Sequence, residues 1–128
     1  MSPRAGLEPN KIIHTAAEIA DKEGLESVTI ANIARTLGVR PPSVYNHVSG
    51  LAEVRNQLAI QGVNRLSDYM KQALKRHSDD EAVHAIGRAY VTFARSHPGL
   101  YEAALRAPSP QNTELSQAAD QLLQLILR

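Results

Sequence analysis

The stretch Thr29-Ile30-Ala31-Asn32-Ile33-Ala34-Arg35-Thr36-Leu37-Gly38-Val39-Arg40-Pro41-Pro42-Ser43-Val44-Tyr45-Asn46-His47 decides how the rest of the chain is read. Thr29 is expected to cap a short helix, because its hydroxyl can accept from a backbone N–H that has no partner within the first turn. Ile30, Ile33, Ala34 and Leu37 follow at the spacing that gives one apolar face. Gly38 stands where that helix must stop and the chain must turn through positive φ. Val39 is placed to plug the corner. Pro41 and Pro42 suit the first turn of a second helix, whose N–H groups lack acceptors in any case, and Ser43 to His47 are expected to carry it on. Two short helices about a glycine-containing turn make a helix-turn-helix, a shape that fits the major groove of DNA.

Working outward, Pro9 to Glu23 reads as a first helix, with Ile12, Ile13, Ala16, Ala17, Ile19 and Ala20 inward and Lys11, Glu18 and Lys22 outward. Gly24 closes it, and Leu25 and Val28 dip into the core. Residues 1–8 are a loose arm with one cation, Arg4. Beyond His47, Ser49 is the expected N-cap, with Glu53 one turn on, of a long helix reaching about Arg76; Gly62 within it marks a close-packing point. Ser78-Asp79-Asp80-Glu81 reads as a capping box that opens a helix to Ser96 along Val83, Ile86, Gly87, Tyr90, Phe93 and Ala94. Pro98 starts a short helix to Arg106. Pro108 and Pro110 break the pattern before a last apolar helix holding Leu115, Leu122, Leu123, Ile126 and Leu127. No segment alternates with strand period. The fold class is therefore all-α: a three-helix helix-turn-helix domain over residues 9–58, then a helical regulatory and dimerisation domain over 59–128. The apolar pattern is still running at Leu127-Arg128, so the second domain is expected to be truncated.

Composition permits a packed core, with 43% hydrophobic residues in 128. The absence of cysteine excludes a disulfide framework and thiolate metal sites. No apolar run approaches a membrane span and no signal-peptide core is present, so a cytoplasmic protein is expected. The charge balance is unusual for a nucleic-acid binder. Residues 1–60 carry Arg4, Lys11, Lys22, Arg35, Arg40 and Arg55 against six acids, and the whole chain is only +1. Phosphate neutralisation supplies most non-specific affinity, so one copy is expected to bind weakly and two copies to be needed.

Residues 10–58 resemble the N-terminal domain of the TetR family of bacterial transcriptional regulators, through Ile12-x3-Ala16, Gly24, Val28-Thr29, Ile33-Ala34, Leu37-Gly38-Val39 and Tyr45-x-His47. Residues 89–101, Ala89-Tyr90-x2-Phe93-Ala94-x2-His97-Pro98-Gly99-Leu100-Tyr101, resemble a motif in one subgroup's ligand-responsive C-terminal domain. The resemblance implies a sequence-specific, ligand-responsive repressor that binds a palindromic double-stranded DNA operator as a homodimer. By the same resemblance Thr29 meets a phosphate, and Arg40 reaches guanine or phosphate. Pro42 and Ser43 face base edges, Tyr45 turns its hydroxyl to the backbone or a phosphate, Asn46 pairs with adenine and His47 bonds a phosphate. For Thr29 and Ser43 helix capping alone is the alternative, for Pro41 and Pro42 only the start of a helix, and for Tyr45 a half-core position. The sequence departs from the family at Leu51, where many members carry a phosphate-binding lysine.

Leu66, Tyr69, Met70, Tyr90, Phe93, Leu100, Tyr101, Leu105 and Leu122 are candidates to line a cavity for a small-molecule effector, with packed core as the alternative for each. The five histidines form no metal-ligand spacing, and neither a nucleophile motif nor a phosphate loop occurs. No enzyme activity, metal or cofactor is expected. A different class of function is a helical protein-interaction module that docks a partner on the apolar face of residues 115–127 without touching DNA.

Overall fold

A computed structural model describes residues 7–106 of the chain. Over those residues it is helical without strands: α1 Pro9–Glu23, a single 3₁₀ turn Leu25–Ser27, α2 Ile30–Leu37, α3 Pro41–Tyr45, α4 Leu51–Arg76, α5 Asp79–Ser96 and α6 Pro98–Leu105. None of the described helices is long and apolar enough to cross a membrane. The expected helix over residues 115–127, and with it Leu122, lies outside the described residues.

The helix boundaries follow from identifiable local chemistry. Gly24 has φ +99° and donates its N–H to the Ala20 carbonyl at 3.0 Å, closing α1. The 3₁₀ turn then places Leu25 and Val28 in the core. Thr29 Oγ1 accepts from the Asn32 N–H at 3.0 Å, as the sequence predicts, while the Asn32 amide donates to the Ser27 carbonyl at 2.7 Å. At the other end of α2, Gly38 is left-handed (φ +74°). Its N–H reaches the Arg35 carbonyl at 3.2 Å and the Val39 N–H the Ala34 carbonyl at 2.9 Å. These are the two bonds of a Schellman ending, and they set the angle at which the chain enters α3.

Four local expectations are corrected. First, α3 stops at Tyr45; Asn46 and His47 form a tight turn in which the His47 and Val48 N–H groups share the Val44 carbonyl, at 2.9 and 3.1 Å. The helix tightens there because Val48 must reach the core. Second, Gly50, not Ser49, occupies the N-cap of α4; Glu53 reaches back and accepts the Ser49 N–H at 2.6 Å. Third, Ser78 sits at the N-cap of α5 but its side chain makes no capping bond, so the capping box is not formed. Fourth, Val83 is 70% exposed among the described residues. Ala85 and Phe93 are the buried residues of α5, so its inner face lies to one side of the Val83 row.

One main core draws on every α-helix of the described chain, with a small second cluster of Ala59, Ile60 and Val63 on α4. The main core joins Ile12, Ala16 and Ile19 of α1, Ile33 of α2, Val44 of α3, Val54, Leu58, Leu66 and Met70 of α4, Phe93 of α5 and Leu100 of α6. α4 is its spine, 26 residues and roughly 39 Å long, and runs unbroken past residue 58, where the sequence reading divides the chain. α6 lies between α1 and α4 at backbone distance from both. A Cβ added at Gly62 would come within 2.5 Å of the Leu100 carbonyl oxygen, and one at Gly99 within 2.2 Å of the Ala20 carbonyl carbon. Gly62 is thus the close-packing point read from sequence; Gly99 is a second one that the sequence reading did not single out.

The same crossing carries a polar tie. Asp21 of α1 turns its carboxylate to the start of α6, where Oδ1 accepts from the Gly99 and Leu100 N–H groups at 2.9 and 3.1 Å. Its Oδ2 lies 2.8 Å from His97 Nδ1. A carboxylate only accepts, so Nδ1 donates. The other ring nitrogen faces the Arg65 guanidinium at 3.5 Å. His97 is the N-cap residue of α6, and Asp21, 77 residues before Pro98, does the capping from α1 by satisfying two of the N–H groups of the first turn.

Two outcomes follow from this crossing. Asp21→Ala should lower unfolding free energy by about 2 kcal/mol, since it strips a charged acceptor from two helix-start N–H groups, with Asp21→Asn losing less; urea titration of the far-ultraviolet circular dichroism measures both. Gly99→Ala should destabilise by roughly 1–3 kcal/mol through overpacking against backbone that cannot yield, whereas Gly87→Ala, where a Cβ meets nothing within 4 Å, should be neutral or stabilising.

Candidate nucleic-acid interface

The outer edge of the helix-turn-helix is built on two buried valines. Val44 is fully buried and Val48 nearly so, and they fix one side of α3 and its following turn to the core. The opposite side then has no choice but to face outward. Arg40, Pro41, Pro42, Tyr45 and Asn46 are exposed, and Ser43 and His47 are half-buried. Pro41 and Pro42 fill the first two positions of α3 with Arg40 at its N-cap, and no side chain caps the helix. Five of its residues alone would not hold a helix in water; the prolines fix φ in advance, and the burial of Val44 does the rest.

Each residue that the sequence reading assigns to DNA is found on this edge or beside it. Thr29 is half-buried at the start of α2, and its oxygen already accepts from Asn32, leaving the hydroxyl hydrogen free to donate. Tyr45 is 54% exposed, so nearly half of it is covered by the protein and the rest is open to solvent. Among the described residues, Arg40 forms no ion pair, and Arg40, Ser43, Asn46 and His47 spend no side-chain hydrogen bond on the protein. Unspent donors along a convex edge are what base edges and phosphates require. Arg40 and Ser43 also line a small cavity of about 230 Å³ with Leu7, Gly38 and Val39, so Leu7, just before α1, lies beside the turn. On the adjoining face of α2, Arg35 donates to Asn32 Oδ1 and so is held against its own helix.

The effector candidates occupy different surroundings. Leu66, Met70, Phe93 and Leu100 are buried in the common core, and Leu105 is 64% exposed among the described residues. Tyr69 packs edge-on against Phe93 (centroids 5.6 Å, 72°) and also borders a shallow cavity of about 230 Å³ with Gln72, Arg76 and Arg88. Tyr90 and Tyr101 meet edge-to-face at 5.7 Å with their hydroxyls 3.0 Å apart. That bond to the Tyr101 hydroxyl, together with partial burial and the neighbouring phenol's charge, pushes the Tyr90 pKa up.

The sign of that shift fixes a pH dependence. A raised pKa means the folded state holds the phenol proton more tightly than the unfolded chain does. The pair's contribution is therefore complete below about pH 10, the ordinary tyrosine value, and is lost as pH rises through the raised Tyr90 value. Tyr101→Phe should flatten this alkaline limb and lower stability at pH 7 by roughly 1 kcal/mol; chemical denaturation at pH 7, 9.5 and 11 reads both effects.

Comparison with known proteins places these features. Residues 12–50 match the family described as bacterial regulatory proteins, tetR family, and residues 83–128 match the tetracyclin repressor-like C-terminal domain. An uncharacterized HTH-type transcriptional regulator of Bacillus subtilis, YobS, is 41% identical over 128 residues, all of this chain and 66% of that protein. A second such regulator, Rv0681 of Mycobacterium tuberculosis, is 32% identical over 90% of this chain and 55% of its own length. The class D tetracycline repressor protein of Escherichia coli is 25% identical over 79% of this chain and 41% of its own. A Rhodococcus protein of unknown function shares the fold with a TM-score of 0.81 at 20% identity, covering 98% of this chain and 67% of that one. The chain thus spans roughly half to two thirds of the length of the curated relatives first matched. With a tetR-type helix-turn-helix at one end and a tetracyclin repressor-like segment at the other, the chain belongs to the TetR family of bacterial regulatory proteins.

Proposed function

We propose that this protein is a sequence-specific transcriptional repressor of the cytoplasm that binds a palindromic operator as a homodimer and releases it in response to a small effector. The observation that carries the reading is the exposed edge Arg40–His47, held on buried Val44 and Val48 with its polar side chains unspent among the described residues. The division of labour places DNA reading in residues 9–58 and regulation in 59–128, with α4 common to both. Arg40 reads a guanine, Asn46 an adenine, and Pro42 and Ser43 the adjacent base edges. Thr29, Tyr45 and His47 hold phosphates, as the hydroxyl and N–H groups at the start of α2 are suited to do. Charge supports the dimer: Arg35 and Arg40 are the cations of the α2–α3 unit, and a surface without basic excess gains affinity by doubling its contacts. Exclusion of polymerase by occupancy is the repression mode proposed.

Selection from random duplex DNA, followed by salt titration of the winning sequence, tests this. Enrichment of an inverted repeat with affinity falling steeply in salt is expected; the absence of enrichment from a demonstrably dimeric protein sinks the reading. Arg40→Ala should relax preference at one base pair of each half-site by roughly 1–3 kcal/mol. Uniform weakening across all sequences would make Arg40 a phosphate contact instead.

A further inference from the structure

A cavity of about 600 Å³ opens where the 3₁₀ turn after α1, the first turns of α4 and the end of α6 come together. Its apolar walls are Leu25, Leu51, Ala52 and Ala103. Its polar lining among the described residues is Arg55, Asn56 and Arg106, which is two cations and one amide with no carboxylate. Arg106 is shared with Glu102 through a 3.0 Å pair one helical turn back. Arg55 is exposed and forms no ion pair among the described residues. The volume lies within the range of small-molecule sites. The cavity is separate from the tyrosine and phenylalanine cluster considered above, since none of Leu66, Tyr69, Met70, Tyr90, Phe93 or Tyr101 lines it.

The lining narrows what fits. A neutral hydrocarbon would cover the walls but leave a guanidinium desolvated without a partner. A cation would be repelled by both arginines. A multiply charged anion would need more than one uncommitted cation and would set charge against four apolar side chains. Leu51 sharpens the point. At the position where the family resemblance leads one to expect a lysine, the half-buried leucine packs on the core and walls this cavity. We propose that the cavity binds an amphipathic monoanion, a carboxylate on an unbranched apolar chain, with its head group on Arg55 and Asn56 and its tail along Leu25, Leu51, Ala52 and Ala103. A guanidinium takes a carboxylate through two parallel N–H bonds, and the adjacent Asn56 amide supplies one more donor. The occupant would touch both α4 and α6, the two helices that cross at Gly62.

Binding is measured on the chain without DNA, so it stands or falls separately from the operator reading. Isothermal titration calorimetry with hexanoate, octanoate, decanoate and dodecanoate, each below its aggregation threshold, should give one saturable site whose affinity rises with chain length to an optimum. Decanol should bind roughly tenfold or more weakly, the order expected for losing a charge-assisted hydrogen bond. Arg55→Gln, on an exposed side chain that the fold does not need, should weaken decanoate by a similar factor and leave decanol unchanged. Ala103→Leu should abolish binding of both by filling the cavity; if that variant fails to fold, Ala52→Leu on the exposed side of the wall serves in its place. No saturable binding at any length, equal affinity for alcohol and carboxylate, or indifference to Arg55→Gln would each overturn the proposal. So would an Arg55→Gln variant that loses DNA affinity while binding decanoate normally, because Arg55 would then be a phosphate contact.

Discussion

The approach of α6 to its two neighbours is the constraint on which the rest of the described structure depends. Backbone meets backbone at both crossings, because Gly99 lies against Ala20 and Gly62 against Leu100. Such proximity brings the first N–H groups of α6 within reach of an α1 side chain, and Asp21 takes two of them. Packing and hydrogen bonding are thus alternative descriptions of one contact: without the glycine the carboxylate could not reach, and without the carboxylate the helix start would be left dry and unpaired. The consequence is that the helix bearing the family's C-terminal motif is fixed to the first helix of the DNA-reading part by contacts that tolerate little sliding.

Much of this was legible in the sequence, and the reason is local. Gly38, Thr29 and the paired prolines each state their role through backbone chemistry that acts within four or five residues. Gly62 was legible for a similar reason, as a helix-breaking residue retained inside a strong helical pattern. Asp21 was not, because nothing in its surroundings distinguishes a surface acid on α1 from a cap whose helix begins 77 residues later. The only cue was indirect: α6 starts with Pro98 after a histidine, without Ser, Thr, Asp or Asn at the residue before it to cap it locally.

The failed expectations have the same physical root in reverse. Ser49 and Ser78-x-x-Glu81 carry the right residue types for capping, yet Gly50 takes the first site and the second is left unused. A side-chain cap on an exposed helix end is worth about 1 kcal/mol, little enough for tertiary geometry to override. Val83 belongs to the helical apolar period of α5 but not to the face that α4 covers. Along the Arg40–His47 edge, which side chains are exposed was legible because burial of Val44 and Val48 dictates which of their neighbours must point out. The cavity between α4 and α6 was not, since its lining comes from three separate segments and depends on where α6 comes to rest.

The brevity of α3 has one more implication. Five residues cannot maintain a helix by their own hydrogen bonds, so the shape of the edge proposed to meet DNA is held by the same valine burial that holds the domain together. Folding and recognition are then linked equilibria sharing one set of contacts. On the proposed reading, a lesion deep in the core, far from any base, registers first as poor operator affinity, and an operator bound to this edge in turn protects the core against unfolding.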